Sequence, residues 1–74
     1  MTYGETIRKL RIAADLSQTA LADRIGLRND ELNRCESGAR DMTEEQYIQA
    51  RAAIIAMRNE RDAAYEEALK AVQA

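Results

Sequence analysis

Hydrophobic residues repeat with the period of an α-helix in four segments of the chain, and polar residues occupy the opposite face of each segment. The segments cover about residues 2–14, 18–25, 28–37 and 43–57. In the first, Thr2 and Glu5 have the spacing of a capping box that begins a helix. Its inward stripe comprises Tyr3, Ile7, Leu10 and Ala14. The pattern therefore predicts an all-α chain.

The second and third segments are short, and a glycine-containing turn separates them. Ser17 is a favourable N-cap for the second segment. Gly26 stands where a helix ends in a left-handed residue, a conformation that glycine adopts at little cost. In the third segment Leu32 and Cys35 face inward, and Gly38 is the expected end. Two helices joined by such a short turn form a helix-turn-helix.

The fourth segment begins with the strongest local signal in the chain, a capping box at Thr43 and Gln46. Met42 and Tyr47 have the spacing of a hydrophobic staple around it. Because neither Gly nor Pro occurs from there to Val72, we expect one helix of about 30 residues and about 45 Å. Five of its apolar residues are expected to pack on the other helices: Tyr47, Ile48, Ile54, Ile55 and Met57.

A polar collar, residues 58–62, places polar groups on every face of this helix and predicts that the helix leaves its own domain there. Apolar residues then resume as a tail stripe, which comprises Tyr65, Ala68, Leu69 and Val72. The spacing suits packing of one helix on another, and we expect a second copy of the chain as the partner. A frayed end is the alternative. The predicted domains are thus a helix-turn-helix domain, 1–57, and an extension of the last helix for dimerisation, 58–74.

An ordered set of residues resembles the phage-repressor type of helix-turn-helix, the Cro-like or XRE-like DNA-binding family. The set comprises Arg11, Leu16-Ser17-Gln18, Leu21-Ala22, Ile25-Gly26-Leu27, Leu32 and Glu36-Ser37-Gly38-Ala39-Arg40. It covers about the first two-thirds of the chain. Two features depart from the family pattern. Arg28 or Asn29 replaces the Ser or Thr that often opens the recognition helix, and the usual break after the fourth helix is missing.

The resemblance implies roles for residues around the second and third helices. Base contacts in the major groove would come from Asn29, Asp30, Asn33 and Arg34. Contacts to the DNA backbone would come from Ser17, Gln18, Arg28 and Arg40. Arg11 and Glu36 match a partly buried structural ion pair. The alternative for the polar residues is a solvated surface, or a third helix that binds protein, because Asp30 and Glu31 would oppose phosphate.

Length and charge narrow the class of protein further. With 74 residues, one small domain is expected, and its thin stability margin favours oligomerisation. The net charge is −2, with seven basic and seven acidic residues in 1–42 and four against six in 43–74. DNA binding requires basic groups that face phosphate rather than a basic total. The charge balance within residues 1–42 nevertheless predicts weak non-specific binding to DNA.

Several functional classes are disfavoured by composition. One cysteine cannot form an internal disulfide, which fits a reducing cytoplasm, and Cys35 is expected to be a core thiol. No apolar run approaches the length of a membrane span, and the first residues do not resemble a signal peptide. Without histidine, a structural zinc site and the commonest general base are both lacking. We therefore expect that the protein is not an enzyme and that it binds neither a cofactor nor a small-molecule ligand.

The sequence thus predicts a small all-α helix-turn-helix bundle with a long C-terminal helix. Its expected function is sequence-specific binding of double-stranded DNA, as a homodimeric repressor that occludes a promoter at a palindromic operator. The alternative is a protein–protein interaction module with the same fold, such as an antitoxin-like or adaptor protein. The acidic balance favours that alternative.

Overall fold

Four α-helices account for the regular secondary structure of the computed structural model, which describes residues 2–73. They are α1 (Tyr3–Ala13), α2 (Gln18–Ile25), α3 (Asn29–Ser37) and α4 (Glu44–Gln73). α1 and α2 each pack against both α3 and α4. The predicted all-α helix-turn-helix bundle with a long C-terminal helix is confirmed. Met1 and Ala74, the outer ends of the predicted domains, lie outside the described residues.

Side-chain caps begin three of the helices, as the sequence predicts. Thr2 Oγ1 accepts a hydrogen bond from Glu5 N at 3.2 Å, and Ser17 Oγ accepts one from Ala20 N at 3.1 Å. At α4 the capping box is reciprocal. Gln46 N donates to Thr43 Oγ1 at 3.1 Å, and Thr43 N donates to Gln46 Oε1 at 3.1 Å. These bonds satisfy amide groups that have no partner within the first turn of a helix.

Left-handed residues end the first three helices and turn the chain. Gly26 (φ 74°) and Gly38 (φ 85°) occupy the predicted positions after α2 and α3. After α1 the same conformation falls on Asp15 (φ 59°). There Leu16 N donates to Arg11 O at 3.0 Å, which closes a Schellman-type end. The sharp turns keep the connections short and hold α2 against α3.

The core lies where α1, α2 and α3 meet the first half of α4. Ile7, Leu21 and Leu32 are fully buried at its centre. The surrounding buried residues are Leu16, Ala22, Cys35, Met42, Ala50 and Ile54. At one edge the rings of Tyr3 and Tyr47 stack with centroids 4.5 Å apart, which joins the start of α1 to the start of α4.

α1 and α3 cross in close contact at Gly4, a buried residue that the sequence pattern did not single out. A Cβ atom placed on Gly4 would lie 1.8 Å from the carbonyl oxygen of Cys35. Only a residue without a side chain therefore fits at this crossing. Burial also raises the pKa of the Cys35 thiol, which is in accord with the predicted core role of that residue.

Two isoleucines expected in the core of α4 are instead exposed. Ile48 and Ile55 are 59% and 50% exposed, whereas the neighbouring Ala50 and Ile54 are buried. Adjacent residues on a helix differ by about 100° in direction, so Ile54 and Ile55 cannot both face one core. The prediction that all five apolar residues pack inward was wrong for these two.

The polar collar is exposed, as predicted, yet its charged groups contact the head, which is the bundle formed by α1, α2, α3 and the first half of α4. Arg24 donates two hydrogen bonds to Glu60, at 2.9 and 3.0 Å. Arg61 donates to the carbonyl oxygen and the carboxylate of Asp15. The hydrogen bond from Arg24 lowers the pKa of Glu60, and the same bond raises the pKa of Arg24. Contacts with the head thus reach Arg61, past the predicted domain end at 57.

Beyond the collar, every described residue of α4 is exposed. None of the helices within residues 2–73 is both long and apolar enough to cross a membrane.

Candidate nucleic-acid interface

The outward face of α3 carries the four residues predicted to contact bases. Asn29, Asp30, Asn33 and Arg34 are all exposed. They share one face because residues three or four apart on a helix are neighbours. Among residues 2–73, the side chains of Asn29 and Arg34 have no hydrogen-bond partner within the protein. Their donors and acceptors are free to meet a ligand.

A buried ion pair holds α1 against α3 behind this face. Glu36 is 2% exposed and Arg11 12% exposed at their side chains. Arg11 Nη2 donates to Glu36 Oε1 at 2.8 Å, and Arg11 Nε donates to Glu36 Oε2 at 2.9 Å. Arg11 Nη1 also donates to the carbonyl oxygen of Leu16 at 2.9 Å. The guanidinium therefore ties α3 to α1 and to the turn before α2.

Gln18 connects the start of α2 to this pair and to the outward face of α3. Its Nε2 donates to Glu36 Oε1 and to Asn33 Oδ1, at 3.3 Å each. The residue is only half-buried, at the rim of a groove formed by α1, α2 and α3. One predicted backbone-contact residue thus lies directly beside one predicted base-contact residue.

The two arginines predicted to hold the DNA backbone meet at Glu31. Arg28 Nε lies 3.0 Å from Glu31 Oε1, and Arg40 Nη1 lies 3.3 Å from Glu31 Oε2. Arg28 Nε also lies 3.6 Å from Asp30 Oδ1. Glu31, a carboxylate expected to oppose phosphate, is therefore paired with two guanidinium groups. The first-turn carboxylates also favour the positive end of the α3 dipole.

The predicted backbone-contact residues lie at three separate places. Ser17 and Gln18 are at the start of α2, Arg28 is at the start of α3, and Arg40 follows the end of α3. Arg28 is the N-cap of α3, and its side chain makes no capping hydrogen bond. This matches the departure from the family pattern noted at that position.

Sequence reasoning missed Arg8 as a residue of this region. It lines the groove together with Arg11, Gln18, Asn33 and Ser37. The signal was present in the spacing, because Arg8 is three residues before Arg11 and so lies on the same side of α1. Arg8 is thus an exposed cation in the groove that the predicted DNA-contact residues do not include.

The tail stripe lies apart from the interface, on the exposed end of α4. Tyr65, Leu69 and Val72 are 68%, 41% and 83% exposed, and Ala68 is exposed as well. Exposed apolar side chains at helical spacing are available to pack on another surface.

Comparison with known proteins identifies the architecture. A family model described as a helix-turn-helix domain matches residues 2–64. The helix-turn-helix resemblance found in the sequence is thereby confirmed. Searches of curated proteins and of solved structures returned no significant match.

Proposed function

The chain belongs to the helix-turn-helix domain family, and on that premise we propose that it is a sequence-specific DNA-binding transcriptional regulator. We further propose that it acts in the cytoplasm as a homodimeric repressor, which covers a promoter at a palindromic operator. No catalytic role is part of the proposal.

The exposed outward face of α3 carries this proposal. Arg34 and Asn29 present free polar groups there, and Asn33 lies beside them. Arginine forms bidentate hydrogen bonds with guanine, and asparagine does so with adenine, in the major groove. A polar helix face that a buried ion pair fixes against α1 is suited to reading base edges.

The acidic residues of α3 fit the proposal better than their charge suggests. Arg28 and Arg40 are 77% and 50% exposed, so their pairs with Glu31 are surface ion pairs of little net strength. Both guanidinium groups can turn toward phosphate at small cost. Ser17 and Gln18 would meet phosphate through their backbone amides, at the positive end of α2.

Dimerisation supplies the second half of the mechanism. Two tail stripes that pack together would give a two-fold dimer, the commonest closed assembly. Such a dimer presents two α3 helices to successive major grooves, about 34 Å apart. One copy alone makes few contacts, so pairing would raise affinity through a high effective concentration.

The second candidate function is a protein–protein interaction module, either antitoxin-like or an adaptor. The exposed Ile48 and Ile55 and the acidic residues of α4 favour it. The two functions differ in their response to salt. Binding to DNA weakens steeply as salt rises because counterions are released from phosphate, and a shift on DNA that is insensitive to salt would favour the protein module.

Replacement of Arg34 by alanine tests the proposal directly. We expect Arg34→Ala to weaken binding to a selected operator by about 1–3 kcal/mol and to leave binding to random DNA almost unchanged. Arg51→Ala is the matched control, because Arg51 is an exposed arginine on α4. Titrations on both kinds of duplex measure the effect. Equal loss on operator and random DNA would assign Arg34 to phosphate instead.

A further inference from the structure

Glu36, Gln18 and Asn33 form a hydrogen-bonded chain from the buried ion pair to the surface of α3. Glu36 is at the buried end, where both of its oxygens accept from Arg11. Gln18 Nε2 donates to Glu36 on one side and to Asn33 Oδ1 on the other. Asn33 is at the exposed end, on the face proposed to meet DNA.

The direction of every hydrogen bond in this chain follows from the carboxylate. A carboxylate paired with a guanidinium has acceptor oxygens only, so Gln18 must turn its NH₂ group toward Glu36. The same NH₂ group then faces Asn33 with its second N–H. Asn33 must therefore accept this hydrogen bond with its oxygen, because two NH₂ groups that face each other form no hydrogen bond. The NH₂ group of Asn33 is left pointing outward.

We propose that Glu36, acting through Gln18, fixes Asn33 as a hydrogen-bond donor toward the edge of a base. Glu36 and Gln18 are then positioning residues that determine specificity without reading the base themselves. The inference rests on the proposed DNA-binding function and adds to it the chemistry that one base of the operator must have.

That base must present an acceptor in the major groove. Guanine offers N7 and O6, adenine offers N7, and thymine offers O4, whereas cytosine presents only its NH₂ donor. The oxygen of Asn33 has two lone pairs, so the hydrogen bond from Gln18 leaves contact with adenine open. The operator should therefore carry a base other than cytosine where Asn33 reaches it.

Two substitutions at Glu36 separate positioning from stability. Glu36→Asp keeps an acceptor-only group, whereas Glu36→Gln allows Gln18 and then Asn33 to turn around. Glu36→Asp shortens the carboxylate side chain and Glu36→Gln removes its charge, so both should lower the melting temperature. Selection from a pool of random DNA duplexes, followed by sequencing, gives the base preference of each full-length variant. We expect Glu36→Asp to keep the selection against cytosine and Glu36→Gln to weaken it roughly tenfold at that one position.

Asn33→Asp tests the same inference without disturbing the ion pair. Its inner oxygen still accepts from Gln18, but an acceptor replaces the outward NH₂ group. The preference at that position should change to cytosine, which presents only an NH₂ donor. An equal loss of affinity on all sequences would place Asn33 at phosphate and overturn the inference.

Proton exchange of the side-chain amides in the free protein measures the direction of the bonds without DNA. The Gln18 NH₂ protons should exchange slowly in NMR spectra, and the Asn33 NH₂ protons should exchange as fast as those of an exposed amide. Slow exchange at Asn33, or identical base preferences in Glu36→Gln and Glu36→Asp, overturns the inference and leaves the proposed function standing. If the wild-type chain selects no sequence at all, the proposed function fails, and the inference fails with it.

Discussion

At the scale of single residues, the Arg11–Glu36 pair is the most deeply buried ion pair of residues 2–73. We expect Glu36→Ala to destabilise the chain by about 3 kcal/mol, because Arg11 keeps its buried charge and loses its partner. Thermal melts measure the loss. Glu60→Ala is the control, since it removes an equally well-aligned carboxylate from an exposed arginine pair and should leave the melting temperature almost unchanged. Equal melting temperatures for wild type and Glu36→Ala would mean that water replaces the carboxylate without loss.

Gly4 lies where α1 and α3 pack too closely for any side chain. Gly4→Ala would drive a methyl group into the Cys35 carbonyl oxygen, so α1 would have to move away from α3. We expect a loss of about 3 kcal/mol, because neither backbone can yield locally. Denaturant unfolding measures it, with Lys9→Ala on the exposed side of α1 as the control. A Gly4→Ala chain as stable as the control would show that the two helices separate easily.

The Arg11–Glu36 pair and Gly4 also differ in how far each can be predicted from the sequence. Arg11 and Glu36 were predicted as a pair because their family resemblance extends to both positions. The role of Gly4 depends on where the carbonyl of Cys35 lies, 31 residues later, and no local pattern carries that information. The tandem isoleucines at 54 and 55 show the same limit, because hydrophobicity alone does not say which of two neighbours faces the core.

At the scale of secondary structure elements, α3 is the helix whose start is least well capped. Arg28→Ser should add the missing side-chain cap and stabilise the chain by about 0.5–1 kcal/mol. The same change should weaken binding to all DNA sequences alike and reduce the salt dependence by about one counterion, if Arg28 meets phosphate as proposed. Melting curves and salt titrations measure the two effects.

Arg28→Ala separates these effects, because it removes the guanidinium without adding a cap. It should bind DNA as weakly as Arg28→Ser but gain no stability. A serine variant that melts no higher than the alanine variant would contradict the capping argument.

The helix starts at Thr2, Ser17 and Thr43 were all predictable from local chemistry, whereas the contacts of the polar collar were not. Long charged side chains of the collar reach Arg24 in α2 and Asp15 after α1, which the sequence does not place beside them.

At the scale of the whole molecule, the tail stripe is proposed to join two copies. We expect Leu69→Glu to give a monomer that binds a palindromic site weakly, because it places a charge within the apolar stripe. Ala63→Glu is the matched control, since Ala63 lies about opposite the centre of the stripe on the helix. Sedimentation measures the mass and titration the affinity. A Leu69→Glu chain that remains dimeric would move the interface to the head, where Ile48 and Ile55 are exposed.

Truncation provides the complementary test, and the contacts of Glu60 and Arg61 determine where the shortened chain should end. Removal of residues after Asn59 would also remove Glu60 and Arg61, which contact the head. A chain that ends at Asp62 keeps both contacts and loses residues 63–74, which carry the tail stripe. It should stay folded, become monomeric and bind weakly. Tight binding by this shorter chain would leave the tail without the role proposed for it.

The unbroken course of α4 makes the angle between the head and the tail stripe a matter of counting residues. One alanine inserted after Asp62 would rotate the stripe by about 100° about the helix axis and so swing one α3 out of phase with the other. Seven inserted residues complete almost two turns and restore the phase within about 20°, while they lengthen the rod by about 10 Å. In a dimer joined by its tails, the register of the two heads on DNA would thus be encoded in the length of one helix.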